Sequence, residues 1–296
     1  MNRRTLLPLL ASAAFLPGCL SSSEQPTTDN QPSSPEPALT IGDTFETADE
    51  KTISLVDVHL RRTAFDSFVP DAVRPHAPQN HQFVFVTLSL GEPDALLPEP
   101  ESFRLVLDGE AIPGTGTPDG LSVDTNLAMP NDAVFPTPKT AVESGVDTAT
   151  IAFLAPLDVS ADRVAVEWHG EEESATWTWD DNLVDALATP PVFEVRNVEF
   201  PDVFHCEEPF DITATVANEG KREGVFNGIS QLTAPARDEH PPSVSLTVPA
   251  GETETWKQRL TYPPRLSGQD CDPDAEQATI TLDWGTGERT ITLDRG

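Results

Sequence analysis

The sequence predicts an all-β protein, with two antiparallel β-sandwiches in tandem after a disordered tether. Three observations carry this. Val, Ile, Leu, Phe and Trp recur with a period of two in short runs throughout residues 39–296. Turn-forming residues separate those runs at intervals of about 8–12 residues, while long helical periodicity is missing. The 258 residues from 39 to 296 suit two domains at ~100–200 residues each.

The chain opens on "RRTLLPLLASAAFLPGCL", residues 3–20. The apolar run from Thr5 to Leu16 is too short for a membrane span, which needs roughly 20 residues. A basic start, a short apolar stretch and small residues before a cut site are the parts of an export signal. Arg3-Arg4 ahead of Thr5-Leu6-Leu7 resembles the twin-arginine signal. Leu16-Pro17-Gly18-Cys19 resembles a lipobox, in which cleavage before the cysteine leaves its thiol to carry lipid. Pro17 departs from the usual small residue there. The resemblance implies residues 1–19 as signal peptide and a membrane anchor through lipid on Cys19. The plainer alternative is an ordinary signal peptide with an incidental cysteine. Residues 20–38, almost wholly Ser, Thr, Pro, Gln and acid, cannot bury enough apolar area to offset their ordering entropy. They read as a tether.

The first domain is expected over 39–180. In "KTISLVDVHLRR" (51–62) Ile53 and Leu55 alternate, and Val56, Val58 and Leu60 follow out of phase. "HQFVFVTLSL" (81–90) puts Phe83 and Phe85 on one face and Val84, Val86 and Leu88 on the other. "SFRLVLDGEAI" (102–112) carries an Asp-Gly turn at 108–109. "TATIAFLAP", "RVAVEW" and "SATWTW" bring the count to about seven strands. Trp177 and Trp179 share one face of the last strand, where core packing is the plainer reading and a sugar platform the alternative. Ile41-Gly42-Asp43-Thr44, "FVFVTLSLGEPD", Phe103 to Gly109 and Gly145 to Pro156 together resemble an immunoglobulin-like domain of unknown function found in small bacterial and archaeal lipoproteins. That family implies no catalytic residues. The segments 63–80 and 111–138 stand outside its outline.

"DNLVDALATPP" (181–191) reads as a short amphipathic helix or turn, stopped by Pro190-Pro191, and serves as the linker. The second domain, 192–296, splits at Pro249-Ala250-Gly251 into seven strands, A to G. "ITATVANEGKREG" and "SLTVPAGETETW" resemble adhesion-type (CARDB-like) immunoglobulin-like domains of archaeal and bacterial surface proteins. The resemblance implies a structural or adhesive module. On the seven-strand count, Cys206 falls in the A–B connection and Cys271 in the E–F connection. Both are odd-numbered connections and lie at one end of the sandwich. That placement and an oxidising exterior favour a disulfide between them; two unpaired thiols are the alternative.

The formal charge is −31, with 49 acidic residues against 18 Lys and Arg. Such a chain repels nucleic acid, so no nucleic-acid partner is expected. The composition resembles that of haloarchaeal proteins, which work where molar salt shortens the Debye length to about 3 Å. Asp270, Asp272, Asp274 and Glu276 alternate in "DCDPDAE" and could hold calcium, but Ala275 stands where an EF-hand has glycine, and a solvated acidic loop is the alternative. The six histidines lack zinc-binding spacing, and no nucleophile elbow or phosphate-binding loop occurs. The expectation is therefore a lipid-anchored extracellular protein, non-catalytic and without cofactor, acting as a binding or cell-envelope module. Its partners would be the membrane through Cys19 and an envelope protein or polysaccharide. An accessory protein for a small ligand or cation is the alternative.

Overall fold

A computed structural model describes residues 39–69, 72–89, 91, 99–114, 126–128, 148–206, 208–233, 243–261 and 276–296. Twelve strands precede the only described α-helix. They are β1 (Leu39–Thr40), β2 (Thr44–Glu46), β3 (Thr52–Arg61), β4 (Ala64–Val69), β5 (Ala72–His76) and β6 (His81–Ser89). Then come β7 (Phe103–Leu107), β8 (Glu110–Pro113), β9 (Asn126–Ala128), β10 (Thr148–Pro156), β11 (Val164–His169) and β12 (Ser174–Thr178). Two sheets, ordered β1-β12-β11-β7-β8 and β10-β6-β3-β2, contribute to one apolar core. Ile53, Leu55, Val84, Val86, Phe103 and Phe153 are among its members, and Trp177 is fully buried there. Trp177 and Trp179 are thus core residues and not an exposed platform.

The phase slip in 51–62 is a β-bulge. The β3–β6 register shifts between Leu55 and Asp57, leaving Val56 as the extra residue, 43% exposed. Before the bulge odd positions point inward; after it, Val58 and Leu60 pack on the core, so His59 and Arg61 point to the outer face. The Ile-Gly-Asp-Thr stretch is a crossing point. β1 pairs in parallel with β12 and β2 antiparallel with β3, so the chain changes sheets between them. Gly42 makes the turn at φ 98°, in a region that favours glycine. Asp43 Oδ2 accepts from the Thr40 amide (2.7 Å) and hydroxyl (2.8 Å), and these bonds lower the Asp43 pKa. The Trp177 indole donates to the Asp43 carbonyl at 3.1 Å.

Segment 63–80, outside the outline of the resemblance, forms structure of its own in its described residues. β4 and β5 make a hairpin, joined by β9 into a three-stranded sheet. Ala64 at its base covers Phe83, Phe85 and Ala152 on the outer face of β6 and β10, a second small core. This explains why β6 is apolar on both faces: each has a cover.

Helix α1 (Asp181–Ala188) begins at Asp180, whose carboxylate accepts from the Leu183 amide at 2.9 Å. Leu183, Val184 and Leu187 pack on the first core. The buried Gln82 donates to the Leu187 carbonyl at 2.7 Å, which fixes the helix to β6. Eight strands follow: β13 (Phe193–Glu199), β14 (Val203–Phe204), β15 (Pro209–Asn218), β16 (Gly224–Thr233), β17 (Ser243–Val248), β18 (Thr253–Thr261), β19 (Gln277–Asp283) and β20 (Glu288–Arg295). They form sheets β13-β15-β18 and β14-β20-β19-β16-β17 around a second core that includes Phe204, Ile212, Val216, Phe226 and Leu282. The strand beyond the expected seven is β14. The first strand breaks near Pro201 and continues as β14, parallel to β20 in the opposite sheet. The described residues from Leu39 to Gly296 group into one compact unit.

Candidate functional site

Contacts join the second sandwich to the linker after α1 and to the first sandwich. Pro191 lies against Gly224, where an added Cβ would come within 2.4 Å of the proline ring. Asn218, at the end of β15, is 1% exposed and uses its whole amide. Its Oδ1 accepts from the amides of Val192 (3.2 Å) and Gly220 (3.0 Å), and its Nδ2 donates to the carbonyls of Arg222 (2.7 Å) and Val248 (3.0 Å). The Asn-x-Gly turn of the sequence is therefore also the clamp on the linker. At the third contact, Gly285 (φ 80°) sits so close to Ala77 that a Cβ would meet its backbone nitrogen at 3.0 Å. β5 also packs on β16. Phe226 and Leu232 of β16 point into the second core, so Val225, Asn227 and Ile229 point outward. Asn227 and Ile229 are buried there, and the Asn227 amide finds no partner among the described residues.

Beside this joint lies a half-open cleft of about 240 Å³, lined among others by His59, Arg61, Leu183, Pro191, Arg222 and Glu223. β3 borders it with Val58 and Leu60 as well as His59 and Arg61, and the turn that Asn218 holds supplies Arg222 and Glu223. Arg61 Nη1 donates to the Leu60 carbonyl at 3.0 Å, and His59 Nε2 lies 3.2 Å from Asp57 Oδ2. Arg222 has no ion-pair partner among the described residues, in a chain with 49 carboxylate side chains. Three of the C-terminal carbonyls of α1 have donors. Those of Asp185 and Ala186 accept from the Thr189 hydroxyl (2.6 Å) and amide (3.4 Å), and that of Leu187 from Gln82. The negative end of the helix dipole is thereby capped. Nearby, the half-buried Arg62 donates to the His81 carbonyl, and burial lowers its pKa.

The residues singled out from sequence fare unevenly. Cys206 is half-buried against the second core. Arg3, Arg4, Cys19, Cys271, Asp270, Asp272 and Asp274 lie outside the described residues. Glu276 is exposed, and its carbonyl accepts from the Arg295 amide at 2.9 Å. No group of three or more His, Cys, Asp or Glu among the described residues is placed to hold a metal. No described helix is long and apolar enough to cross a membrane. The cleft residues carry no motif. The phase slip at Val56 is the one sequence signal that turns His59 and Arg61 outward.

No family model matches the chain, and no curated protein matches it. Among solved structures, similarity is found to a β-glucosidase from Listeria innocua in complex with glucose (12% identity, TM-score 0.29), over 36% of this chain and 16% of that one. A β-glucosidase from Erythrobacter marinus is similar at 12% identity and TM-score 0.29, over 37% and 16%. A calcium-binding mutant of Bacteroides uniformis β-glucuronidase 2 aligns over 88% of this chain and 28% of its own, at 13% identity and TM-score 0.21. The chain thus spans a small part of each of these enzymes.

Proposed function

We propose that the protein is a lipid-anchored, non-catalytic binding or cell-envelope module that faces the outside, built of two immunoglobulin-like sandwiches on a tether. The observation that carries the binding role is the cleft at the joint, where guanidinium and imidazole donors from both sandwiches converge on one small space. Such donors hold a charged or polar group. The immunoglobulin-like reading draws support from the way the first strand of each sandwich changes sheets. An external location would keep Cys206 oxidised, since disulfides persist in oxidising compartments.

The proposed partner of Cys206 is Cys271. The connection that holds Cys271 leaves from Thr261, which pairs with Pro209, and returns at Gln277, which pairs with Asp294. Both points flank the Phe204–Pro209 end of the sandwich, because Phe204 pairs with Arg295. The anchor is tested by fractionating cells that express Cys19→Ser. The substituted protein is expected in soluble form or as uncut precursor, and a processed, membrane-bound product would refute the anchor.

A further inference from the structure

We infer that the cleft between the sandwiches is a binding site for a small oxyanion, a carboxylate or phosphate group carried on a molecule of roughly single-ring size. The inference deepens the reading as a binding module and rests on it, though the two fail separately: membrane fractionation reports the anchor, and the cleft is read by ligand titration.

Four observations point to an anion. First, cations are scarce in this chain, yet Arg61 and Arg222, far apart in sequence, line one cleft together with His59. Glu223 is the one carboxylate of the lining, and Asp57 stands behind His59. Second, Arg222 lies at the cleft without an ion-pair partner among the described residues. Guanidinium is the side chain best shaped for two parallel hydrogen bonds to a carboxylate or phosphate. Third, three of the α1 carbonyls that would repel an anion, those of Asp185, Ala186 and Leu187, accept hydrogen bonds from Thr189 and Gln82. Fourth, Leu183, Ala186 and Pro191 supply an apolar wall for the body of the molecule. The size follows from the volume: about 240 Å³ holds roughly eight waters at ~30 Å³ each. The overall negative charge of the protein does not oppose such a site in concentrated salt. Beyond about 3 Å, remote carboxylates are screened, and only groups in contact with the ligand count.

The test uses the full chain at constant ionic strength in potassium chloride, titrated separately with potassium phosphate and potassium acetate. Backbone amide shifts are read around 59–61 and 222–225. Saturable shifts confined to those amides are expected. Shifts with phosphate alone assign a phosphoryl ligand, with acetate alone a carboxylate ligand, and with both an unselective oxyanion site. Arg222→Gln is expected to weaken binding about tenfold, the scale of one charged hydrogen bond. Arg289→Gln, an exposed arginine of β20, should leave it unchanged. Arg222 is itself exposed, so that variant keeps the fold whatever Arg61→Gln does. Non-saturating shifts with both probes, or equal affinity in wild type and Arg222→Gln, would overturn the inference.

Discussion

Replacing Asn218 by alanine tests whether the linker is clamped to the second sandwich as described. The side chain makes four hydrogen bonds, two accepted and two donated, at 1% exposure. At ~0.5–1.5 kcal/mol net for each, and with losses that are not additive, the substitution should cost about 3 kcal/mol. A domain of this size loses roughly 2–4 °C in Tm per kcal/mol, so a drop of about 6–12 °C is expected. The variant should still fold. The bonds from the Asn218 amide to Glu252, from the Gly251 amide to the Asn218 carbonyl and from the Glu219 amide to Val192 use backbone alone. The assay is denaturant unfolding at fixed salt, with hydrogen exchange to localise the effect. Exchange should rise at Val192 and Gly220, whose amides lose their acceptor. Asn197→Ala, which removes an exposed side-chain bond to Glu199, is the control and should lie within about 0.5 kcal/mol of wild type. If Asn218→Ala costs as little as the control, or if exchange at Val192 is unchanged, the clamp is wrong.

Melting temperature should climb steeply between low and molar salt, because 49 acidic residues repel one another when unscreened; a flat profile would remove the high-salt reading. Asp211 should titrate at about 2, held down by bonds from Arg259 (3.0 Å) and Lys257 (2.8 Å). Since its folded pKa lies below the ordinary 3.8, its contribution to stability is present above that value and is lost as pH falls towards 2. A carboxylate NMR titration checks this, and Arg259→Gln should move the midpoint back up. Peptide mapping without reductant should yield one linked pair containing Cys206 and Cys271. Cys206→Ser should then cost roughly 4 kcal/mol, the loop-closure scale for some 65 residues, whereas two alkylatable thiols in fresh protein would refute the pairing.

Much of the framework was legible in particular residues. The slip from Leu55 to Val56 announced a bulge, because period two tolerates no extra residue without one. Ile212, Ala214 and Val216 alternate with Thr213, Thr215 and Ala217 as β15 requires, and the Asp-Gly pair placed the β7–β8 turn, with both residues at positive φ. The hairpin at 63–80 was not legible. Pro70 and Pro75 argue against a strand, and Ala64 and Phe83 declare a shared core only once β4 lies over β6. The splits of the first strands were missed because β1, β2 and β14 hold only two or three residues each, too few for periodicity. The cleft was invisible for a different reason. Arg61 and Arg222 come from separate sandwiches, and the close approach at Gly224 that seats Pro191 depends on tertiary packing.

The charge pattern favours a joint made of short, mostly neutral contacts. In dilute buffer the excess of carboxylates would push the two sandwiches apart; in molar salt that push is screened, but so is any long-range attraction that could hold them together. What survives screening is contact: the Asn218 amide, Gln82 on the Leu187 carbonyl, Pro191 on Gly224 and Ala77 on Gly285. Uncharged hydrogen bonds and close packing do not weaken as ions are added. The same logic selects arginines for the cleft. A guanidinium that touches its ligand retains directional hydrogen bonds in salt, whereas a charge acting from a Debye length away does not. Binding at the cleft should therefore lose little affinity between moderate and molar potassium chloride beyond direct chloride competition, while stability rises over the same range. An affinity that fell in step with the Debye length would mean that remote charge, and not Arg61 and Arg222, holds the ligand.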